Sequence, residues 1–207
     1  MKKYTIEFVA TTLFIITILT VTAIGSAVLV PMTIGIGLAA RIYMGWPISG
    51  AHYNPAVTLA ALFRKKITLK QAIGYIIMQL LAAGAAYVIY TKWLNLTHAQ
   101  VQLAPSLKAV FVAEFLYTFT LVATVLHTAM SKSTAGNNYF GLAIGAVVMV
   151  WIASVGGISG AFFNPAVLLG LWLFGLPTYG WLTILGAHIC AAICAAIFHV
   201  ITQERVR

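Results

Sequence analysis

Apolar residues run along this chain in six long stretches, at approximately 4–23, 27–46, 68–90, 108–130, 139–158 and 180–201. Each is close to the roughly 20 residues of helix that cross about 30 Å of hydrocarbon. Gly25, Ser26 and Pro31 are the only punctuation between the first two, so their connection is predicted to be very short. The other breaks are clearer: Arg64, Lys65, Lys66 and Lys70 mark one loop, and 95–106, 131–138 and 175–180 mark three more. Between the second and third stretches, and again between the fifth and sixth, lies an apolar piece too short to cross. The pattern predicts an all-α membrane protein with six transmembrane helices.

Composition agrees: 62% of the 207 residues are hydrophobic, 7% are charged, and mean hydropathy is +1.00. A water-soluble domain, about a quarter charged, is excluded. Twelve Lys and Arg face three acids, all Glu, for a formal charge of +9. These cations are too scattered among apolar runs to track phosphates, so no nucleic-acid partner is expected. Counted on alternate sides of six spans, Lys2, Lys3, Arg64, Lys65, Lys66, Lys70, Lys132, Arg205 and Arg207 fall together against Lys92 and Lys108. That asymmetry predicts an integral protein of the plasma or inner membrane with both termini in the cytoplasm. The basic start at Met1 to Lys3 lacks the short core and cleavage site of a signal peptide and reads as the first span. Cys190 and Cys194, four apart, close no useful loop and suggest no disulfide or metal site.

An internal repeat organises the chain. Residues Ser49 to Val57 recur as Ser159 to Val167 with seven identities in nine, at an offset of 110. Glu7 and Phe8 are echoed by Glu114 and Phe115 at an offset of 107. Three spans per repeat is odd, so the second copy enters the membrane from the opposite side and forms an inverted repeat. We read one transmembrane domain over 1–207, with repeats of about 1–100 and 101–207.

In each short apolar piece Asn stands directly before Pro and Ala: Asn54, Pro55, Ala56 and Asn164, Pro165, Ala166. This is the order of an N-cap, a first-turn proline and the start of a helix. Each piece is therefore a re-entrant half-helix whose free N–H groups and positive dipole end point where its Asn points. Such backbone survives at membrane depth only against protein or a water-filled cavity. Two such ends meeting near the midplane offer amide donors to passing water and repel cations.

These twin Asn-Pro-Ala motifs in a six-span chain resemble the aquaporins, the major intrinsic protein family, over essentially the whole length. The resemblance implies a homotetramer with one pore per subunit, Asn54 and Asn164 at the pore centre, and Glu7 and Glu114 bracing the half-helix loops. Physics supports the last role, because a carboxylate among apolar residues is costly unless backbone donors satisfy it. The resemblance also implies an outer constriction of four residues. Counting from the motifs puts Ile34, Ile152, Ala161 and Val167 there, while a slip of one residue would put Trp151 in place of Ile152. The family's usual aromatic is Ile34 and its usual Arg is Val167, so the ring is expected to be wide, apolar and without a cationic donor. Relatives with such rings resemble channels for water with ammonia, urea or hydrogen peroxide. Glycerol channels usually carry Arg-Asp where this chain has Val167 and Leu168.

His52, whose repeat mate is Phe162, is expected at the inner pore mouth, either structural or as a titrating gate. Arg41, seven residues after Ile34, either lines the inner pore or snorkels or hydrogen-bonds loop carbonyls near the cytoplasmic interface. Gly141 and Gly145, and Gly84 among alanines, suggest close helix packing. Asn95, Leu96 and Thr97 match a glycosylation acceptor. The remaining His, including His98, His127, His188 and His199, lack ligand spacing. No cofactor or metal is expected. An enzyme would need a nucleophile with a base, paired acids or a ligand cluster, and none is present. A coupled transporter with Glu7 and Glu114 as its ion site, and a poorly conducting structural member, remain as alternatives to a passive channel for water and small neutral solutes.

Overall fold

The computed structural model describes residues 1–94, 106–176 and 180–204. Residues 95–105, which hold all but the last residue of the expected loop 95–106, with Asn95 and His98, lie outside that description, as do 177–179 of the expected turn and Arg205 and Arg207.

Helices form in chain order as α1 (Lys2–Ile24), α2 (Leu29–Ser49), α3 (Pro55–Phe63), α4 (Leu69–Ile89), α5 (Leu107–Thr124), α6 (Phe140–Ser159), α7 (Pro165–Trp172) and α8 (Trp181–Glu204). Single π-helical turns lengthen α4 to Leu94 and α5 to Ala129. All six long helices are apolar and long enough to cross a bilayer. At nine and eight residues, α3 and α7 are not. Local chemistry sets several ends. Thr68 and Gln71 make a reciprocal capping box on α4, and the Ser106 hydroxyl accepts the Ala109 N–H on α5. One boundary differs from the sequence reading: α2 runs on through Pro47 to Ser49. A proline in the last turn removes only one helical donor, and Gly50 in the left-handed region closes the helix through its N–H to the Trp46 carbonyl.

The two halves interlock along one seam. α2 crosses α6 at Gly35 and Gly145, which are repeat mates; a Cβ on Gly145 would stand 2.4 Å from the Gly35 carbonyl oxygen, and one on Gly35 would stand 2.6 Å from that of Gly145. Only glycine permits this approach. Tyr43 similarly fills the space over Gly141, whereas a Cβ on Gly84 would meet nothing within 4 Å. α1 packs on α2 and α4, and α5 on α6 and α8. α3 and α7 are enclosed between these pairs and touch end to end. Where they are enclosed the interior is built from small side chains: Ala60, Ala61, Ala82, Ala83, Ala191, Ala192 and Ala195 are fully buried. Large apolar residues such as Leu13, Ile36, Leu142 and Ile201 face outward instead, as a hydrocarbon solvent allows.

Candidate functional site

Asn54 and Asn164 stand where the half-helices meet. Each caps its own helix, the Asn54 Oδ1 accepting from the Ala56 N–H at 2.8 Å and the Asn164 Oδ1 from the Ala166 N–H at 2.9 Å. Each also ties the halves together, with Asn54 Nδ2 donating to the Phe163 carbonyl and Asn164 Nδ2 to the Tyr53 carbonyl, both at 2.9 Å. A primary amide has two N–H donors. One is used by this crossed pair, and the second is left at a surface that both Asn share with a cavity. The positive ends of α3 and α7 converge on that point.

The loops leading into these helices are strained in the same way. Gly50, Ala51 and Tyr53 have φ of 84°, 48° and 49°, and their mates Gly160, Ala161 and Phe163 have 88°, 58° and 52°. Non-glycine residues pay of order 1–3 kcal/mol for such conformations and hold them only when their surroundings insist. The two glutamates supply the insistence. Glu7 Oε1 accepts from the Ser49 hydroxyl (2.6 Å) and the His52 N–H (2.9 Å), and its Oε2 from the Tyr53 N–H (2.7 Å) and the Gln79 amide (2.9 Å). Glu114 Oε1 accepts from the Ser159 hydroxyl (2.6 Å) and the Phe162 N–H (3.0 Å), and its Oε2 from the Phe163 N–H (2.9 Å) and His188 Nε2 (2.8 Å). Both carboxylates are fully buried. With four donors each, neither has a lone pair to spare for an ion, and neither lies on the cavity wall.

Gln79 and His188 complete these clamps and were not singled out from sequence for that role. The signal was available, since each is a polar residue within an apolar span and they lie 109 apart, close to the repeat offset.

The cavity holds about 600 Å³. It runs from Ser26, Gly156 and Gly157 at one end, past both Asn, to Trp46, Gly50 and His52 at the other. Ile34, Ile152, Ala161 and Val167 all line it, and Trp151 does not. The Trp151 ring packs on Tyr117 instead, with centroids 4.4 Å apart. None of the four lining side chains bears a charge or a hydrogen-bonding group. His52 lines the other half; its Nδ1 is 3.1 Å from the Thr58 hydroxyl and its ring meets the edge of Tyr75. Arg41, for which lining the inner pore was one expectation, is not on the wall. Its guanidinium turns into the seam with α1, donating to the Leu13 carbonyl and the Thr17 hydroxyl. No group of three or more metal-ligating side chains occurs among the described residues.

Comparison with known proteins places this arrangement. The family model for the major intrinsic protein matches residues 1–198. An aquaporin, AqpM, from Methanothermobacter thermautotrophicus is 30% identical over 87% of this chain and 79% of its own. A glycerol uptake facilitator protein-like 6 from Lactiplantibacillus plantarum is 29% identical over 95% of this chain and 98% of its own. Among solved structures, the aquaglyceroporin from Plasmodium falciparum superposes with a TM-score of 0.80 over 99% of this chain and 98% of that one, at 20% identity, which speaks to the fold.

Proposed function

The chain belongs to the major intrinsic protein family, whose members are passive channels and not enzymes, and on that premise we propose that it conducts water and small uncharged solutes, with ammonia, urea or hydrogen peroxide favoured over glycerol. The observation that carries this reading is the continuous cavity with two Asn amides at its waist and four uncharged side chains, Ile34, Ile152, Ala161 and Val167, toward one end.

A permeant entering past Ile34 and Val167 finds no side-chain donor to replace its hydration. Small solutes with a modest desolvation cost pass such a ring readily, and water loses the advantage that a donor-rich ring would give it. At the waist each Asn keeps one N–H for the permeant's oxygen or nitrogen. The opposed half-helix dipoles orient a water there with its oxygen toward the amides and its hydrogens outward, which breaks a proton wire. Ions stripped of water meet low-dielectric walls and are excluded by desolvation. Glu7 and Glu114 act as loop braces in this scheme, and the four donors on each argue against an ion-coupling site. The excess of Lys and Arg on the side of the termini supports cytoplasmic termini. The exposed apolar outer surface suits a bilayer and a homotetramer with one pore in each subunit.

Glycerol is the second reading, favoured by the facilitator-like relative and by the apolar ring, on which a carbon backbone can lie. Stopped-flow light scattering on proteoliposomes decides between them by comparing water, urea, ammonia and glycerol entry for wild type and Val167→Arg. The proposal expects the wild type to pass water and a small solute well above empty liposomes, and Val167→Arg to lose the solute while still passing water. Glycerol entry faster than urea would favour the second reading, and no flux of any solute would overturn both.

A further inference from the structure

We propose that Arg41 is a specificity-determining charge that acts on the pore from behind its wall, raising the barrier to cations at the waist. This inference rests on the channel reading above. Its basis is the course of the side chain. Arg41 lies 12 residues into α2, yet its guanidinium does not run toward the near membrane surface, as a snorkelling side chain would. It runs back toward the bilayer centre, with Nη1 donating to the Gly37 carbonyl at 2.7 Å and Nη2 to the Leu13 carbonyl at 3.0 Å and the Thr17 hydroxyl at 2.5 Å. Leu13 is the middle residue of the 23 in α1, so the charge sits near the middle of the first span.

No acid neutralises it there. The chain has three acids, of which Glu7 and Glu114 are saturated by the loop donors and Glu204 closes α8. Among the described residues the only carboxylate within salt-bridge distance of a basic side chain is Glu114, which His188 Nε2 approaches at 2.8 Å. The acceptors around Arg41 are neutral, so its full positive charge is felt nearby.

The cavity is one layer of side chains away. Phe14 and Ile18, next to Leu13 and Thr17 on α1, and Leu38 and Ile42, flanking Arg41 on α2, all line it. These groups are apolar and screen weakly. A unit charge roughly 10 Å from the axis, at an effective dielectric of about 20, disfavours a monovalent cation by about 10- to 20-fold. Val167 is uncharged, and among the described residues that line the cavity there is no Lys or Arg, so no cationic side chain of the wall masks this off-axis charge.

The test is the ratio of potassium and proton permeability to water permeability in proteoliposomes, measured for wild type, Arg41→Gln and Arg41→Lys. Gln keeps a donor and removes the charge; Lys keeps the charge and loses the fork. The expected result is a ratio raised about tenfold in Arg41→Gln and within about twofold of wild type in Arg41→Lys. An unchanged ratio in Arg41→Gln, or Lys behaving as Gln does, would overturn the inference and assign Arg41 to clamping α1 against α2. A measurement on wild type alone guards against a variant that fails to fold: residual chloride leak should exceed potassium leak, and equal leaks would refute the idea. Failure of the channel reading looks different, because wild-type water flux would then not exceed that of empty vesicles, and the inference would fall with it.

Discussion

Replacing Glu114 with Gln keeps the shape of the side chain and removes one acceptor oxygen, which makes it a sharp test of the clamp. Four donors converge on the carboxylate. The least damaging orientation of the new amide points its NH2 at Ser159, whose hydroxyl can turn round and accept. The Phe162 N–H is then left unpaired in a fully buried place, at a cost of about 1–3 kcal/mol. The remaining bonds become neutral ones, each weaker by about 1 kcal/mol. Relief from burying a carboxylate offsets part of this, and a net loss of about 2–4 kcal/mol remains. For a chain of this size that corresponds to a Tm lower by roughly 5–15 °C, read by thermal unfolding in detergent. The strained turn at Ala161 and Phe163 loses its restraint at the same time, so water flux should fall. Glu7→Gln should be milder. Its fourth partner is the Gln79 amide, which can flip to offer oxygen, whereas the fourth partner of Glu114 is His188, whose Nδ1 is already buried without a partner among the described residues. A Tm for Glu114→Gln within 2 °C of wild type, or a larger drop for Glu7→Gln, would refute the reasoning.

Gly145→Val should destabilise the α2–α6 crossing by about 1–3 kcal/mol or more, since its Cβ would meet the fixed Gly35 carbonyl; Gly84→Ala, with open space at the same atom, should be neutral or raise the Tm by a few degrees. Trp151→Phe should leave the order of solute permeabilities as in wild type, because the indole packs on Tyr117 and not on the cavity; a faster glycerol or urea rate in that variant would show that position 151 narrows the pore. Asn164→Asp should open a cation leak measurable as potassium flux and lower the Tm, since a carboxylate replaces the donor to the Tyr53 carbonyl at the waist.

Much of this molecule is determined by the order of its residues alone. The six spans follow from runs of about 20 apolar residues, which hydrocarbon forces into helices because no other open structure satisfies the backbone. The half-helices follow from Asn before Pro, which caps a helix wherever it stands, and their opposed entry follows from an odd number of spans between copies. Short-range rules reach that far. Which side chains face the cavity is a matter of helix rotation and crossing, set by contacts between residues more than a hundred positions apart, such as Gly35 with Gly145. One residue of register, about 100° around a helix, separates Ile152 on the wall from Trp151 against Tyr117. The direction of Arg41 was likewise beyond the sequence. A long, flexible cation in an apolar span can seek the membrane surface, the pore or a neighbouring helix, and only the packing of α1 against α2, which brings the Leu13 carbonyl and the Thr17 hydroxyl within reach, selects among them.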